Sequence, residues 1–296
     1  MKPFISLDWG TTSFRAYEVN ADGNVINAAA TPEGILAIKD GSFEQTLEHH
    51  IDNWDKSLAI IASGMITSRQ GWVECPYTEC PASASDLAKS ITHKTTASGR
   101  SIQFITGLHY KSPSISHDVI RGEETQVLGA LTTGATHFIT RGTHCKWIDV
   151  EGEKISGFAT YMTGESFAIY KQHSILGRLM QDAPEDEGAF KRGVEKAFAD
   201  PAGLLHVLFS VRTLGLYAEI APEHLASYLS GMLIGYEVAH ATNGHDKDAK
   251  YVVLGSAAQA ATCITALNLA GLNVTLGDPL CGIKGQRLIA KEAGIL

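Results

Sequence analysis

The sequence predicts a mixed α/β protein assembled from two similarly built halves. Strand-like and helix-like stretches alternate along it, the pattern of α/β packing. One arrangement of strand, glycine turn, strand, turn and strand occurs near the start and again in mid-chain, with Gly10 and Gly142 about one domain length apart. With 296 residues, 44% of them hydrophobic, there is enough apolar material for two cores.

The first arrangement is a strand over 4–7, the turn Gly10-Thr11-Thr12, a period-two run from Phe14 to Val19, a turn at Ala21-Asp22-Gly23-Asn24 and a continuation at Val25-Ile26. A helix over 43–54, a strand over 58–63, a helix over 84–89, a strand over 101–105 and a helix over 123–131 follow. The second arrangement has strands over 137–140 and 145–150 around Arg141-Gly142-Thr143, then the turn Glu151-Gly152-Glu153 and a strand over 154–158. Helices are expected over 185–198 and 222–240. A buried strand over 251–254 runs through Gly255-Ser256-Ala257 into a helix over 259–270, and a last helix covers 283–291. Gly231 and Gly235 stand four apart in an apolar helix, a spacing that lets another helix approach closely. The expected domains are 1–133, completed by the C-terminal helix within 283–296, and 134–282.

A formal charge of −8 opposes nucleic-acid binding, since no run of Lys and Arg forms a basic stripe. Five cysteines without a paired CxxC framework suit reduced thiols, and Cys75 and Cys80 lack the second pair that a zinc site requires. The apolar start is broken by Asp8 and carries no export signal, and no stretch reaches membrane-spanning length. A cytoplasmic protein with small-molecule partners is expected, with no nucleic acid and no membrane.

Three places suit a nucleotide. In Asp8-Trp9-Gly10-Thr11-Thr12-Ser13, glycine lets the backbone close on a phosphate, while Thr11, Thr12 and Ser13 add hydroxyls. Asp8, at the strand end, suits magnesium held through water. The second turn repeats the glycine and hydroxyl as Gly142 and Thr143, with Thr140 where the first has Asp8. Gly255 and Ser256 open a helix whose N-terminus presents small residues to something flat or anionic. Each alone is also an ordinary turn or strand-to-helix junction. No Walker GxxxxGK[ST] is present.

Together these resemble the sugar kinase, Hsp70 and actin superfamily. That resemblance implies two actin-like (ribonuclease H-like) α/β domains with ATP in the cleft between them, its phosphates clasped by the hairpins. Further stretches narrow it: Gly64-Met65 through Gly71-Trp72, Arg121-Gly122-Glu123-Glu124-Thr125-Gln126, Gly142-Thr143-His144-Cys145-Lys146-Trp147, Met162-Thr163-Gly164-Glu165 and Ser230-Gly231-Met232-Leu233-Ile234-Gly235. In this order they are similar to the 2-dehydro-3-deoxygalactonokinase family across essentially the whole chain. The resemblance implies ATP- and Mg2+-dependent phosphorylation of a sugar acid at its 6-hydroxyl. A kinase for the gluconate-derived epimer or another sugar acid, an exopolyphosphatase-like phosphohydrolase and a nucleotide-gated clamp are the alternatives.

Such a reaction needs a carboxylate to orient or deprotonate the sugar hydroxyl. Glu123 and Glu124 stand in the first turn of a helix, whose dipole favours ionised carboxylates, although capping explains the same placement. Either one suits the base. Arg121 and Arg69 are candidates for the substrate's carboxylate, with Arg15 and Lys146 on the phosphate side. Trp72 could floor a sugar site or simply fill the core. His144 and Cys145 lie in a strand-like run and read as packed, and Glu165 is a lesser carboxylate candidate.

Overall fold

A computed structural model describes residues 2–246 and 248–296. The chain opens with an antiparallel meander, β1 (Phe4–Trp9), β2 (Phe14–Val19) and β3 (Val25–Thr31). Every β1 residue is buried except the half-buried Asp8, as suits a strand covered on both faces, and Ser6 is its one buried polar residue. Helix α1 (Phe43–Ile51) leads to β4 (Ile60–Ser63), which pairs in parallel with β1. Next come β5 (Thr78–Glu79), α2 (Ala84–Ala88), β6 (Thr92–Thr95), β7 (Ser101–Phe104), β8 (Leu108–Tyr110), β9 (Asp118–Ile120) and α3 (Glu123–Ala130). The six-stranded sheet runs β3-β2-β1-β4-β7-β6, and a small sheet runs β5-β8-β9.

The second set begins with β10 (His137–Thr140), β11 (Cys145–Glu151) and β12 (Lys154–Tyr161). Helices α4 (Thr163–His173), α5 (Glu187–Ala199), α6 (Leu204–Val207), α7 (Ser210–Leu216) and α8 (Leu225–Ala241) follow, then β13 (Lys250–Leu254), α9 (Ala257–Leu269), β14 (Asn273–Leu276) and α10 (Cys281–Glu292). Its sheet order, β12-β11-β10-β13-β14, matches β3-β2-β1-β4-β7 strand for strand. β10, β13 and β14 pair in parallel, as do β1, β4 and β7. The repeat glimpsed in two turns is a repeat of five strands.

The chain divides into two compact units. The first takes the chain up to Gly134 together with Ile148–Phe158 and Asp278–Leu296; the second takes Ala135–Trp147 and Ala159–Gly277. The tip of the β11–β12 hairpin thus counts with the first unit, where Ala82 and Ile155 form an isolated bridge. In the first unit Trp9, Phe14, Leu47, Ile60 and Phe104 pack as one core. In the second unit, one core cluster gathers Val211, Leu225 and Met232, and another gathers Ile139, Phe190, Val253 and Leu267.

Several boundaries move. The helix expected over 43–54 stops at Ile51, where a turn closes through Trp54 N donating to Ile51 O. The strand over 58–63 starts at Ile60. Helix α4 went unread because Thr163 is its one buried residue, so its sequence shows no apolar stripe. The strands β5, β8 and β9 have only two or three residues, and the edge strands β6 and β14 bury none of theirs, so no apolar run marks them.

Helix α8 is buried nearly all round, and its glycines serve packing, as their spacing implies. A β-carbon at Gly231 would run into the Phe190 carbonyl of α5, and one at Gly235 would stand 2.8 Å from Ala197 Cβ. No described helix is long and apolar enough to cross a membrane. We expect Gly231→Ala to cost about 1–3 kcal/mol through overpacking, read as a lower urea midpoint with an unchanged slope.

Candidate active site

The first glycine turn is held from two sides. Gly10 N donates to Ser13 O at 2.9 Å, while Ile35 N and Leu36 N donate to Gly10 O and Thr11 O at 3.0 and 3.3 Å. Gly34 makes this approach possible, because a β-carbon there would collide with the Thr11–Thr12 backbone. Below the turn, the buried Trp9 ring meets Phe14 and Phe43 edge-on, and its Nε1 donates to Glu33 O at 2.8 Å. The turn is therefore a rigid platform with Thr11 and Thr12 exposed and Ser13 half-buried.

Beside it three chain passes meet without side chains between them. Parallel pairing sets the end of β4 next to Asp8, and the chain turns away at Gly64 with φ of 94°. A β-carbon on Gly64 would stand 2.9 Å from Trp9 O and 3.1 Å from Asp8 Oδ1. Gly122, at φ 108°, approaches Gly64 so closely that its own β-carbon would lie 3.2 Å from Gly64 Cα. Both glycines occupy a region that side chains disfavour. Their contact brings the start of α3, with Glu123 and Glu124, up to Asp8.

The three carboxylates differ. Asp8 keeps 35% of its side chain exposed and meets Arg15 Nη1 at 3.5 Å. Desolvation raises its pKa, Arg15 opposes this, and the neighbouring Glu123 pushes it up again. Glu123 is half-buried, with Oε2 accepting from Arg121 N at 2.8 Å. Glu124 is fully buried, with Oε2 accepting from Gly122 N at 2.7 Å and Oε1 left without a partner. Burial first, and Glu123 second, push its pKa up to about 8 against backbone donors and Arg121.

Arg121, Trp72 and Arg69 differ in how open the fold leaves them. Arg121 spends its guanidinium locally, donating from Nη1 to Thr67 O and Oγ1 at 2.5 and 2.6 Å and from Nη2 to Cys75 O at 3.2 Å, over the Tyr77 ring at 4.2 Å. Those oxygens are neutral, so its charge persists beside the site while its geometry braces the Thr67 loop. Trp72 is half-buried and packs on the core, stacked 6.1 Å from Phe43 and edge-on to Phe104. Arg69 is exposed, one residue past the buried Ser68.

In the second unit Gly142 and Thr143 are exposed at a turn that α4 caps. Glu165 N donates to Thr143 O at 2.9 Å, and a side chain at Gly164 would strike Gly142 O. His144, expected to be packed, is exposed and bonds Glu165 at 2.6 Å, because the strand begins only at Cys145. Cys145 is buried, its thiol pushed up to about 11 by desolvation. Lys146 is buried as well, donating to Thr160 Oγ1 at 2.8 Å, which takes it away from a phosphate role. Arg141 turns inward to Glu237 Oε1 at 2.7 Å, which also accepts from Trp147 Nε1 at 2.8 Å. Gly255 has φ 123°, and Ser256 caps α9 with a capping box to Gln259.

Sequence reasoning missed Gly34, Gly64 and Gly122 as makers of the site, and Glu237 as the anchor of the second turn. A lone acid in the apolar run of α8 was the available signal for Glu237.

The duplicated five-stranded unit is the actin-like fold of sugar kinases and related ATPases. A Clostridium difficile activator of 2-hydroxyisocaproyl-CoA dehydratase, solved with ADPNP, shares it at TM-score 0.52 and 11% identity over 99% of this chain and 96% of its own. Within that fold the chain belongs to the 2-keto-3-deoxy-galactonokinase family, whose profile matches residues 8–285. It is 34% identical over 93% of its length to a probable 2-dehydro-3-deoxygalactonokinase of Rhizobium meliloti (strain 1021), covering 92% of that protein. It is 33% identical over 80% of its length to the Escherichia coli (strain K12) 2-dehydro-3-deoxygalactonokinase, covering 79% of it. The crystal structure of a Sinorhizobium meliloti protein described by the same activity superimposes with TM-score 0.90 at 33% identity, over 99% of this chain and all of that one.

Gly34→Ala should open the first turn while leaving the protein folded by circular dichroism. We expect at least about a tenfold rise in KM for ATP, as misplaced phosphate donors would give.

Proposed function

We propose that the protein transfers the γ-phosphoryl group of ATP to the 6-hydroxyl of 2-dehydro-3-deoxy-D-galactonate, giving the 6-phosphate and ADP, in galactonate breakdown. The observation that carries the reading is the placement of Asp8 and the half-exposed Glu123 together at the end of β1, beside a braced turn of exposed hydroxyls.

Phosphoryl transfer asks for alignment and charge stabilisation more than covalent help. Glu123 is the base in this reading: it is half-exposed, its carboxylate is fixed by the Arg121 N–H, and it sits in the first turn of α3 beside Asp8. Gly10, Thr11, Thr12 and Ser13 offer phosphate donors, Gly142 and Thr143 are further phosphate candidates, and Gly255 and Ser256 suit the nucleotide. Asp8 fits a magnesium site: two neighbouring carboxylates, one of them partly open to water, repel each other in a way that a dication relieves. Asp8 would hold the ion through water, and the ion when bound would spread charge over the phosphate oxygens. Arg121 contributes its fixed positive charge toward an acidic substrate, and the exposed Arg69 is free to turn to its carboxylate. Trp72 supports the wall behind them. The free thiols and the need for ATP lead us to place the reaction in the cytoplasm.

A coupled ADP-release assay with magnesium-ATP tests this, comparing the galactonate compound, its gluconate epimer and no sugar, with product mass as a second reading. ADP release that depends on the galactonate compound, with one phosphate added to it, is the expected result. Sugar-independent release would instead favour a phosphohydrolase. Asp8→Asn and Glu123→Gln should each stay folded and lose about a hundredfold or more in kcat in the same assay.

A further inference from the structure

Two buried side chains in the first unit each end in an oxygen without a partner, and the fold sets them on facing helices. Glu124, in α3, is 0% exposed with Oε1 unpaired; Gln286, in α10, is 1% exposed with Oε1 unpaired. The amide orientation of Gln286 is fixed, because its Nε2 donates to Leu7 O at 2.9 Å and to Ser63 Oγ at 2.8 Å, and a carbonyl such as Leu7 O can only accept. Its Oε1 therefore calls for a donor.

The helices touch backbone to backbone at this level. A β-carbon on Gly285 would strike Thr125 O, and one on Gly129 would strike Cys281 O. Glu124 and Gln286 are the chain neighbours of Thr125 and Gly285, the two residues of that contact. Both side chains also reach the same strand ends: Gln286 bonds Ser63, next to Gly64, and Glu124 bonds Gly122, which packs on Gly64. Two buried acceptors left without donors are costly, whereas an O–H facing an amide oxygen is a good hydrogen bond.

We propose that Glu124 is a positioning residue that acts as a neutral carboxylic acid, its Oε1 hydroxyl donating to Gln286 Oε1 and so locking the Glu123 turn of α3 onto α10 and the Asp8 end of β1. The proton comes from solvent on folding and takes no part in phosphoryl transfer. One carboxylate of the Glu-Glu pair is then the base and the other is its fixed support. The proposal rests on the reading of Glu123 as the base, but its first test does not need activity.

Glu124 is neutral in the folded state to about pH 8, against an ordinary value of 4.5. A raised pKa gives stabilisation that is full below about 4.5, falls as pH rises and is gone above about 8. Thermal melts of the full chain from pH 5 to 9 should show wild type losing stability relative to Glu124→Gln across that window, since the amide N–H2 can donate to Gln286 without titrating. Parallel curves would overturn the proposal.

In the rate assay, Glu124→Ala and Gln286→Ala should each lower kcat about tenfold with little change in either KM, and the double variant should be no slower than one alone. Glu124→Gln should restore the rate and lack the alkaline fall of kcat expected of wild type near pH 8. A Glu124→Gln enzyme as slow as Glu123→Gln would overturn the proposal by making Glu124 the base, and fully multiplicative alanine effects would overturn it by uncoupling the pair. If Glu124→Ala does not fold, the melts, Gln286→Ala and Glu124→Gln still decide. A wild type that phosphorylates no sugar acid would defeat the proposed function while the melts still judge the carboxyl.

Discussion

The first unit depends on a close approach of bare backbone. Asp8 at the end of β1, Gly64 after β4 and Gly122 before α3 meet with nothing between them, and the two glycines hold conformations that a side chain would resist. Parallel pairing of β1 with β4 supplies the first half of the meeting. Packing of α3 on α10 through Gly129 and Gly285 supplies the second. Because no flexible side chain intervenes, the distance between Asp8 and the first turn of α3 is set by main chain alone, the most rigid way to fix two carboxylates.

Electrostatics then sorts residues that look alike in a sequence. Glu123 and Glu124 are adjacent acids in one helical turn, yet one is half-exposed and the other lies in a dry interior, where burial favours its neutral form. Arg121 shows the converse. Its two terminal nitrogens donate to the carbonyls of Thr67 and Cys75 and to the Thr67 hydroxyl, which hold the guanidinium without neutralising it, and it becomes a fixed source of positive potential beside the acids. In the second unit Glu237 accepts from both Arg141 and Trp147, tying the second turn to α8 through one oxygen.

Much of this could be read from the residues. The duplication was visible in the turns at Gly10 and Gly142, since a tight turn between strands writes itself locally as glycine and hydroxyls, and the packing role of Gly231 and Gly235 followed from their spacing. The difference between Glu123 and Glu124 was not visible, because helical position gives the same dipole to both and burial is decided by α10, more than 150 residues away. Trp72 and Lys146 stayed open for a related reason: an aromatic ring or a cation carries no local mark of whether the fold turns it outward or inward. Gly34 and Gly64 lay in stretches without periodicity, and only the approach of another segment reveals why no side chain stands there.

The position of α10 in the chain bears on how the molecule is made. It packs on β1, β4, α2 and α3, all within the first 130 residues, and Gln286 bonds Leu7 across nearly the full sequence. On the ribosome the six-stranded sheet would wait, one face uncovered, while the whole of the second unit was being synthesised. The second unit, continuous apart from the hairpin tip, would then be the part able to condense first, and the earliest residues to emerge would be among the last to reach their native surroundings.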